Sequence, residues 1–266
     1  MNTQDFKEFI WEKGKELYRT MPWREDTRPY YVLVSEIMLQ QTQVERVIPK
    51  FEAFIRQFPD VTSLAKAPLS EVLAAWSGLG YNRRAKFLHQ AAKMVVETYH
   101  GVFPRIQADI TALPGVGVNT AGALLAYSFN EPVSFIETNV RTVYFYHFFS
   151  DQDVVTDAEL RPLVEDTVDQ EHPREWYWAL MDYGAYLKRK GVRLNSKSHH
   201  YKKQAPLKGS VREVRGQILR QLTSGTLTRE ALEGAFKGDI RFLPALNGLL
   251  GDGLIEIVGE DVRLSA

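Results

Sequence analysis

The amino-acid sequence predicts a mainly α-helical protein that ends in a small α+β domain. Up to residue 190, apolar residues recur at three- and four-residue spacings with charges between them, as in amphipathic helices. Residues 191–209 are basic and polar and contain Pro206 and Gly209, which predicts a linker. Residues 210–266 predict three short helices and two alternating strands, the pattern of a winged helix. We therefore expect a two-lobed helical body, a basic linker and a winged-helix-like domain.

Local signals support helices along the body. Asp60 and Thr62 precede "SLAKA" as helix-start residues, Pro104 ends a helical run, and Pro173 stands at a helix beginning. The helical spacing is clearest in "FKEFIWEKGKELYRT", "VERVIPKFEAFIRQF", "LSEVLAAWSGL", "RRAKFLHQAAKMVVETY" and "REWYWALMDYGAYLKR". In the last domain, "VREVRGQILRQL", "TREALEGAF" and "FLPALNGLLGDG" lead into the strand pair "LIEIVGEDVRLS".

Composition limits the classes of function. The 266 residues are 44% hydrophobic and 25% charged with a net charge of zero, which is typical of a globular protein and gives no global excess of positive charge. No apolar stretch has membrane-spanning length, so we expect a soluble, cytoplasmic protein of bacterial or archaeal type. The absence of cysteine excludes disulfides, thiol nucleophiles and a cysteine-ligated iron–sulfur cluster. The six histidines form no ligand pattern, so we expect no transition metal.

The segment from 188 to 203 concentrates positive charge. It contains seven lysines and arginines and no acid. Such a run is either a solvated linker or a surface that contacts phosphates. Lys202 and Lys203 are its candidate contacts.

A glycine turn at residues 112–129, "ALPGVGVNTAGALLAYSF", joins an apolar helix end to a helix rich in small residues. The glycines permit a tight turn and a close approach of backbone to a ligand. The N–H groups at the start of the following helix suit a phosphate oxygen. The pattern is typical of a helix-hairpin-helix that grips a DNA backbone, and the alternative is a tight helix–helix turn without a ligand.

Two further segments combine turns with polar side chains. In "VSEIMLQQTQVERVIPKFEAFIRQFP", residues 34–59, Glu36 lies within an apolar run and is surrounded by uncharged hydrogen-bonding groups. A Glu in such a helix often faces water, yet this polar cluster also suits contacts with bases. In "WSGLGYNRRAKFLHQAA", residues 76–92, Arg83 and Arg84 begin a helix and oppose its dipole, which disfavours a purely structural function.

The stretch "SFIETNVRTV", residues 134–143, ends an apolar strip on Glu137. This carboxylate either favours the positive end of the next helix or is a catalytic group near developing positive charge.

Together with "PWR" and "WALMDYGAYLK", these segments resemble the helix-hairpin-helix DNA glycosylases of the endonuclease III superfamily. The resemblance covers residues 20 to 190 and is closest to the MutY-type adenine glycosylases, particularly in "SEIMLQQTQV". It implies an enzyme of base excision repair that flips a base out of double-stranded DNA and hydrolyses its glycosidic bond. It also implies a monomer, with a winged helix that binds DNA or protein.

The resemblance implies roles for individual residues. Glu36 matches the general acid that protonates adenine, and Glu137 matches the carboxylate that stabilises the oxocarbenium ion, where the family has aspartate. Asn139 matches an active-site asparagine. Asn119 stands where bifunctional relatives carry a nucleophilic lysine, which implies a monofunctional glycosylase without lyase activity.

The resemblance also implies the contacts with DNA. Gln41 matches a wedge into the duplex, Thr42 matches a contact to the opposite base, and Asn82 replaces a tyrosine that stacks beside 8-oxoguanine. The backbone of the 113–118 hairpin is expected to hold a phosphate and a Na⁺ or K⁺ ion. The implied DNA-contacting residues, besides Lys202 and Lys203, are Gln41, Thr42, Leu79, Tyr81, Asn82, Arg83, Leu113, Gly115, Val116, Gly117 and Thr120.

The leading hypothesis is therefore removal of adenine opposite 8-oxoguanine or guanine, without an iron–sulfur cluster. A second hypothesis changes the base, to thymine or uracil opposite guanine, hypoxanthine or hydroxymethyluracil. A third is a DNA-binding protein that recognises structure and has lost catalysis.

Overall fold

The computed structural model describes residues 1–199 and 204–266. These residues are mainly helical, with one small sheet near the C-terminus, so the predicted fold class is confirmed. None of the described helices is long and apolar enough to span a membrane. The helices of the body are α1 (Thr3–Leu17), α2 (Pro22–Glu25), α3 (Pro29–Leu39), α4 (Val44–Gln57), α5 (Val61–Lys66), α6 (Leu69–Trp76), α7 (Arg83–Tyr99), α8 (Gln107–Thr111), α9 (Val118–Phe129), α10 (Thr138–Phe148), α11 (Asp157–Thr167) and α12 (Pro173–Arg189).

Residue-level signals set several helix starts. The Asp60 side chain accepts the Ser63 N–H and the Ser63 hydroxyl bonds back to residue 60, which makes a capping box for α5. Thr156 and Glu159 form a second capping box at α11. Pro173 is the first residue of α12, where its missing N–H costs no helical hydrogen bond.

The described residues divide into two compact units, each built from separate chain segments. The first unit contains Met1–Leu33, Pro104–Ala112 and Val116–Lys203, of which the last segment is described to 199. The second unit contains Val34–Phe103, Leu113–Gly115 and Gln204–Ala266.

In the first unit, α12 packs against α1, α10 and α9. Gly14 permits the approach of α1, because a Cβ there would lie 2.6 Å from the Cβ of Ala179. Phe6 is fully buried and contacts the rings of Tyr144 and Trp176 at centroid distances of 5.0 and 6.2 Å. This aromatic core fixes α10 and α12, the two helices that carry the residues described below.

The second unit joins α4–α7 to the C-terminal domain. That domain contains α13 (Val211–Leu222), β1 (Leu227–Thr228), α14 (Arg229–Ala235), α15 (Phe242–Gly251), β2 (Ile255–Val258) and β3 (Asp261–Leu264). Its sheet is antiparallel with the order β1-β3-β2, and the β2–β3 register pairs Ile255 with Leu264. Three helices and a strand hairpin agree with the predicted winged-helix pattern.

The predicted linker is partly ordered against the body. A short 3-10 helix covers Asn195–Lys197, and Ser198 forms an isolated parallel bridge with Val155. The Val155 N–H donates to the carbonyl of Lys197 at 2.8 Å. The boundaries 1–190, 191–209 and 210–266 therefore stay predictions, since part of the middle segment packs on the first unit.

Candidate active site

Glu137 is the N-cap of α10 in the first unit. Its backbone is extended, with φ −112° and ψ −177°, and its Oε1 accepts the N–H groups of Asn139 and, at 2.9 Å, Val140. The carboxylate therefore satisfies two donors at the positive end of an 11-residue helix. Burial raises the pKa of Glu137, while Lys188 and the two N–H groups oppose that rise.

Asn139 and Lys188 complete the surroundings of this carboxylate. The Asn139 Nδ2 donates to Glu137 Oε2 at 3.4 Å, and its Oδ1 accepts from Lys188 Nζ at 2.7 Å. Because an ammonium only donates, Lys188 turns the amide oxygen toward itself and the amide nitrogen toward Glu137. Burial lowers the pKa of Lys188, and the charge of Glu137 opposes this change.

One face of α12 supports Asn139. Met181, Gly184 and Lys188 follow one another at spacings of three and four, so they share a face of this helix. The Met181 sulfur accepts from Asn139 Nδ2 at 3.5 Å, and a Cβ at Gly184 would lie 2.7 Å from both the Cβ and the carbonyl oxygen of Asn139. Because Gly184 has no Cβ, α12 approaches α10 closely enough for the Lys188 side chain to reach Asn139.

Asn119 supports the strip that leads to Glu137. Its Oδ1 accepts the N–H of Ile136 at 3.2 Å. Gly122, one helical turn later in α9, lies so near Phe135 that an added Cβ would come within 2.7 Å of the Phe135 Cβ. The small residues of α9 thus let this helix pack directly against the strip, which is apolar and buried at Phe135 and Ile136.

The glycine turn connects α8 to α9 as predicted. Gly115 has φ +78°, a conformation that favours glycine, and Gly117 is the N-cap of α9 without a side-chain cap. Leu113 and Val116 are buried, with 1% and 6% of their surface exposed, so any phosphate contact there comes from backbone. Thr120 is half-buried in the first turn of α9.

Glu36 belongs to the second unit. It is half-buried in α3, between the buried residues Ser35 and Ile37. Three residues further on, Leu39 ends the helix, and Gln41 follows with the left-handed φ of +57°. The predicted acid is thus placed in a mostly buried helix just before a strained turn.

Arg84 organises the predicted base-contacting segments; the sequence marks it beside Arg83 at a helix start but does not predict its burial. Only 8% of its surface is exposed. Its Nη1 donates to the carbonyls of Ile37 and Met38 at 2.8 and 2.9 Å, and its Nη2 donates to the Thr42 hydroxyl at 3.2 Å and the Gly80 carbonyl at 3.0 Å. Burial among these neutral acceptors lowers the pKa of Arg84 to about 10.

The other predicted DNA contacts have different environments. Leu79 is buried, Tyr81 and Asn82 are half-buried, and Arg83 is exposed with its Nε 3.5 Å from Asp252. Lys202 and Lys203 lie outside the described residues.

Lys188 is a second residue that sequence reasoning did not place at the site. In the sequence it marks only the start of the basic run 188–203. Its spacing of four from Gly184 on an otherwise apolar helical face was the available signal, since a cation there points toward the packed side of α12.

Comparisons with known proteins agree with these features. Residues 34–167 match the HhH-GPD superfamily of base excision DNA repair proteins. An adenine DNA glycosylase of Mycolicibacterium smegmatis is 32% identical over 261 residues, covering 90% of this chain and 88% of that protein. An adenine DNA glycosylase of Buchnera aphidicola is 37% identical over 170 residues, covering 64% of this chain and 48% of the relative.

Among solved structures, a thermostable thymine-DNA glycosylase superposes with a TM-score of 0.63 at 28% identity, covering 69% of this chain and 86% of that chain. This chain spans about half the length or less of the first curated relatives that it matches. The match across more than half of the sequence, together with the M. smegmatis relative, nevertheless shows the family. The chain belongs to the HhH-GPD superfamily of base excision DNA repair proteins.

Proposed function

We propose that this chain is a monofunctional DNA glycosylase that releases adenine opposite 8-oxoguanine or guanine. The observation that carries the proposal is the Glu137 carboxylate, which caps α10 and accepts from the Asn139 amide, itself held by Lys188. The similarity to curated relatives named adenine DNA glycosylase supports adenine as the base. The proposal includes action on duplex DNA, as a monomer, in the compartment that holds the chromosome.

In the proposed reaction, the target nucleotide leaves the base stack so that its glycosidic bond becomes accessible. Glu36 donates a proton to N7 of adenine. The C1′–N9 bond breaks and its electron pair goes to the base. Glu137 stabilises the cationic sugar, because a fixed carboxylate near developing positive charge lowers the energy of the transition state. Water then adds to C1′ and loses a proton, which completes hydrolysis.

DNA binding is proposed for three groups of residues. The hairpin would hold the phosphate backbone by the N–H groups at the start of α9, where Gly117 carries no side chain. Gln41, Thr42 and the 79–83 loop would contact the duplex near the extruded base. Lys202 and Lys203 would add phosphate contacts, as the basic run suggests.

A monovalent cation is proposed at the same hairpin. The carbonyl groups of residues 113–116 lie between α8 and α9, outside the regular bonding of either helix. Carbonyl oxygens are suitable ligands for hard cations. Such an ion would strengthen the phosphate site by adding positive charge.

A second candidate substrate is thymine opposite guanine. The solved thymine-DNA glycosylase is 28% identical to this chain, and Asn82 stands where the adenine branch carries a stacking tyrosine. This alternative retains Glu137 beside the cationic sugar, but it excludes proton transfer from Glu36 to N7, because thymine has no N7.

The test is a panel of labelled duplexes that carry adenine opposite 8-oxoguanine, adenine opposite guanine, thymine opposite guanine or uracil opposite guanine. Single-turnover release, measured after alkali treatment, should be fastest for adenine opposite 8-oxoguanine. Glu36→Gln should abolish release and retain binding, because phosphate contacts supply most of the affinity. If thymine is released faster than adenine, thymine is the substrate. If the protein binds the duplexes and releases no base, it is a DNA-binding protein without glycosylase activity.

The same panel tests the absence of lyase activity. Asn119 has no amine to form a Schiff base. Borohydride should therefore trap no covalent complex, and strands should stay intact before alkali treatment. A trapped complex would show that another amine attacks C1′, and Lys188→Met would then test whether that amine is Lys188.

A further inference from the structure

A cleft of about 1080 Å³ opens within the second unit. One side is formed by residues 40–43 and by the loop 77–82. The C-terminal domain supplies the other side through α13, with Arg212, Gln217 and Arg220. The volume suffices for a ligand of nucleotide size. The reaction proposed above gives the C-terminal domain no part, yet this domain builds half of the cleft.

The ionisable lining of the cleft is mostly arginine. Two carboxylates, Asp252 and Glu213, are also present, and both have cationic partners. Asp252 pairs with Arg215, and Glu213 pairs at 3.0 Å with Arg241, which lies outside the lining. Positive charge therefore predominates, and guanidinium groups suit phosphate oxygens and the faces of bases. The six lining arginines are Arg46, Arg83, Arg84, Arg212, Arg215 and Arg220.

Backbone strain marks the same cleft. Gln41 and Tyr81 have the left-handed φ values of +57° and +48°, and both line it. Residues in such conformations concentrate at ligand sites. Arg212 holds Tyr81 there, because its Nη1 donates to the tyrosine hydroxyl at 2.5 Å and its guanidinium carbon lies 5.4 Å from the ring centroid. A residue of the C-terminal domain thus fixes a strained residue of the loop.

We propose that this cleft binds a nucleotide segment of the DNA substrate and that α13 is a DNA-contacting element of the protein. Arg220 is exposed and meets a phosphate, while the half-buried Gln217 offers an amide to a base or sugar. This inference rests on the proposed function for its ligand. It assigns to the C-terminal domain a grip on DNA that the glycine hairpin does not require.

The absence of native cysteine makes the cleft directly testable. Gln217→Cys introduces a single thiol in the cleft, and Ala235→Cys introduces one at an exposed position of the same domain outside it. The rate of maleimide modification is measured with and without duplex. At a duplex concentration about ten times Kd, modification of the Gln217→Cys protein should slow about tenfold, because only the free fraction reacts. The Ala235→Cys protein should react at its original rate.

A second pair of variants tests the phosphate contact proposed for Arg220. Arg220→Gln removes an arginine of the cleft, and Arg229→Gln removes an exposed arginine of the same domain outside it. Loss of one phosphate contact lowers the slope of log K against log salt by about one. We expect this change for Arg220→Gln and an unchanged slope for Arg229→Gln.

These outcomes separate the cleft from the reaction. The parent protein could release a base while the Gln217→Cys protein reacts with maleimide at the same rate with and without duplex. That result would contradict DNA binding in the cleft and leave the glycosylase proposal intact. Protection of Gln217→Cys without release of any base would support the cleft and refute the glycosylase proposal. Equal salt slopes for the Arg220→Gln and Arg229→Gln proteins would mean that Arg220 does not contact a phosphate of the DNA.

Discussion

At the scale of single residues, Glu137 combines two interpretations that the sequence left as alternatives. Its Oε1 caps α10, and its Oε2 is directed to the Asn139 amide. The helix cap and the proposed catalytic function are therefore compatible, because the cap occupies Oε1 and not Oε2. The same cap that stabilises the helix fixes the carboxylate in place.

Shortening this side chain tests how much the site depends on glutamate. Aspartate is a good N-cap, so Glu137→Asp should keep α10 and the stability of the protein. Its carboxylate would withdraw by about one ångström, beyond the roughly 0.5 Å tolerance of a catalytic group. We expect base release in single turnover to fall about tenfold or more, and about 10²-fold or more for the uncharged Glu137→Gln. Faster release by Glu137→Asp would mean that the site still fits the shorter acid.

Lys188 should set the pH range in which Glu137 is ionised. Burial raises the pKa of Glu137, and the ammonium of Lys188 is the largest opposing influence, ahead of Arg141. Removing that charge in Lys188→Met therefore raises the pKa of Glu137 further. Because the ionised form is the active one in the proposed reaction, the acidic limb of the pH–rate profile should move to higher pH.

The control for this experiment is Arg189→Met, which removes an exposed cation one residue further along α12. Its acidic limb should match that of the parent protein. The basic limb, which reflects the proton on the general acid, should be unchanged in both variants. A uniform loss of rate without a shifted limb would mean that Lys188 only positions Asn139.

At the scale of elements, the sequence predicted where helices begin and end better than it predicted which side chains of a helix are buried. The proline at the start of α12, the cap of α5 and the glycine turn between α8 and α9 are local signals, and the structure contains all three. They were predictable because each depends on residues within one turn of the helix end. The two-residue strand β1 was missed, since its only support is pairing with β3 at the far end of the domain.

Buried cations were the larger gap in the predicted site. Arg83 and Arg84 stand side by side at the start of α7, yet Arg84 is buried under seven carbonyl or hydroxyl acceptors and Arg83 is exposed. Charge normally predicts exposure. Some of these acceptors belong to the adjacent loop 79–81, but the carbonyls of Ile37, Met38 and Gln40 come from a distant part of the chain, so no local pattern contains the information.

At the scale of the whole molecule, each unit is assembled from segments that are far apart in sequence. In the first unit, residues 1–33 must close on the segment that carries α10 and α12. Asp182 makes that closure, because its carboxylate accepts from Arg24 at 2.7 and 3.1 Å and from Arg19 Nε at 2.6 Å. The Asp182 and Arg24 side chains are 1% and 3% exposed.

Replacing this carboxylate should strongly destabilise the protein. Asp182→Asn leaves the Arg24 guanidinium buried without a counter-ion, which costs about 3–5 kcal/mol of unfolding free energy. Asp157→Asn is the matched control, since Asp157 pairs with Arg141 but is 27% exposed, and a pair near solvent contributes about 0–1 kcal/mol. Urea unfolding followed by circular dichroism measures both. A midpoint for Asp182→Asn no lower than that of Asp157→Asn would mean that water or another group replaces the carboxylate at Arg24.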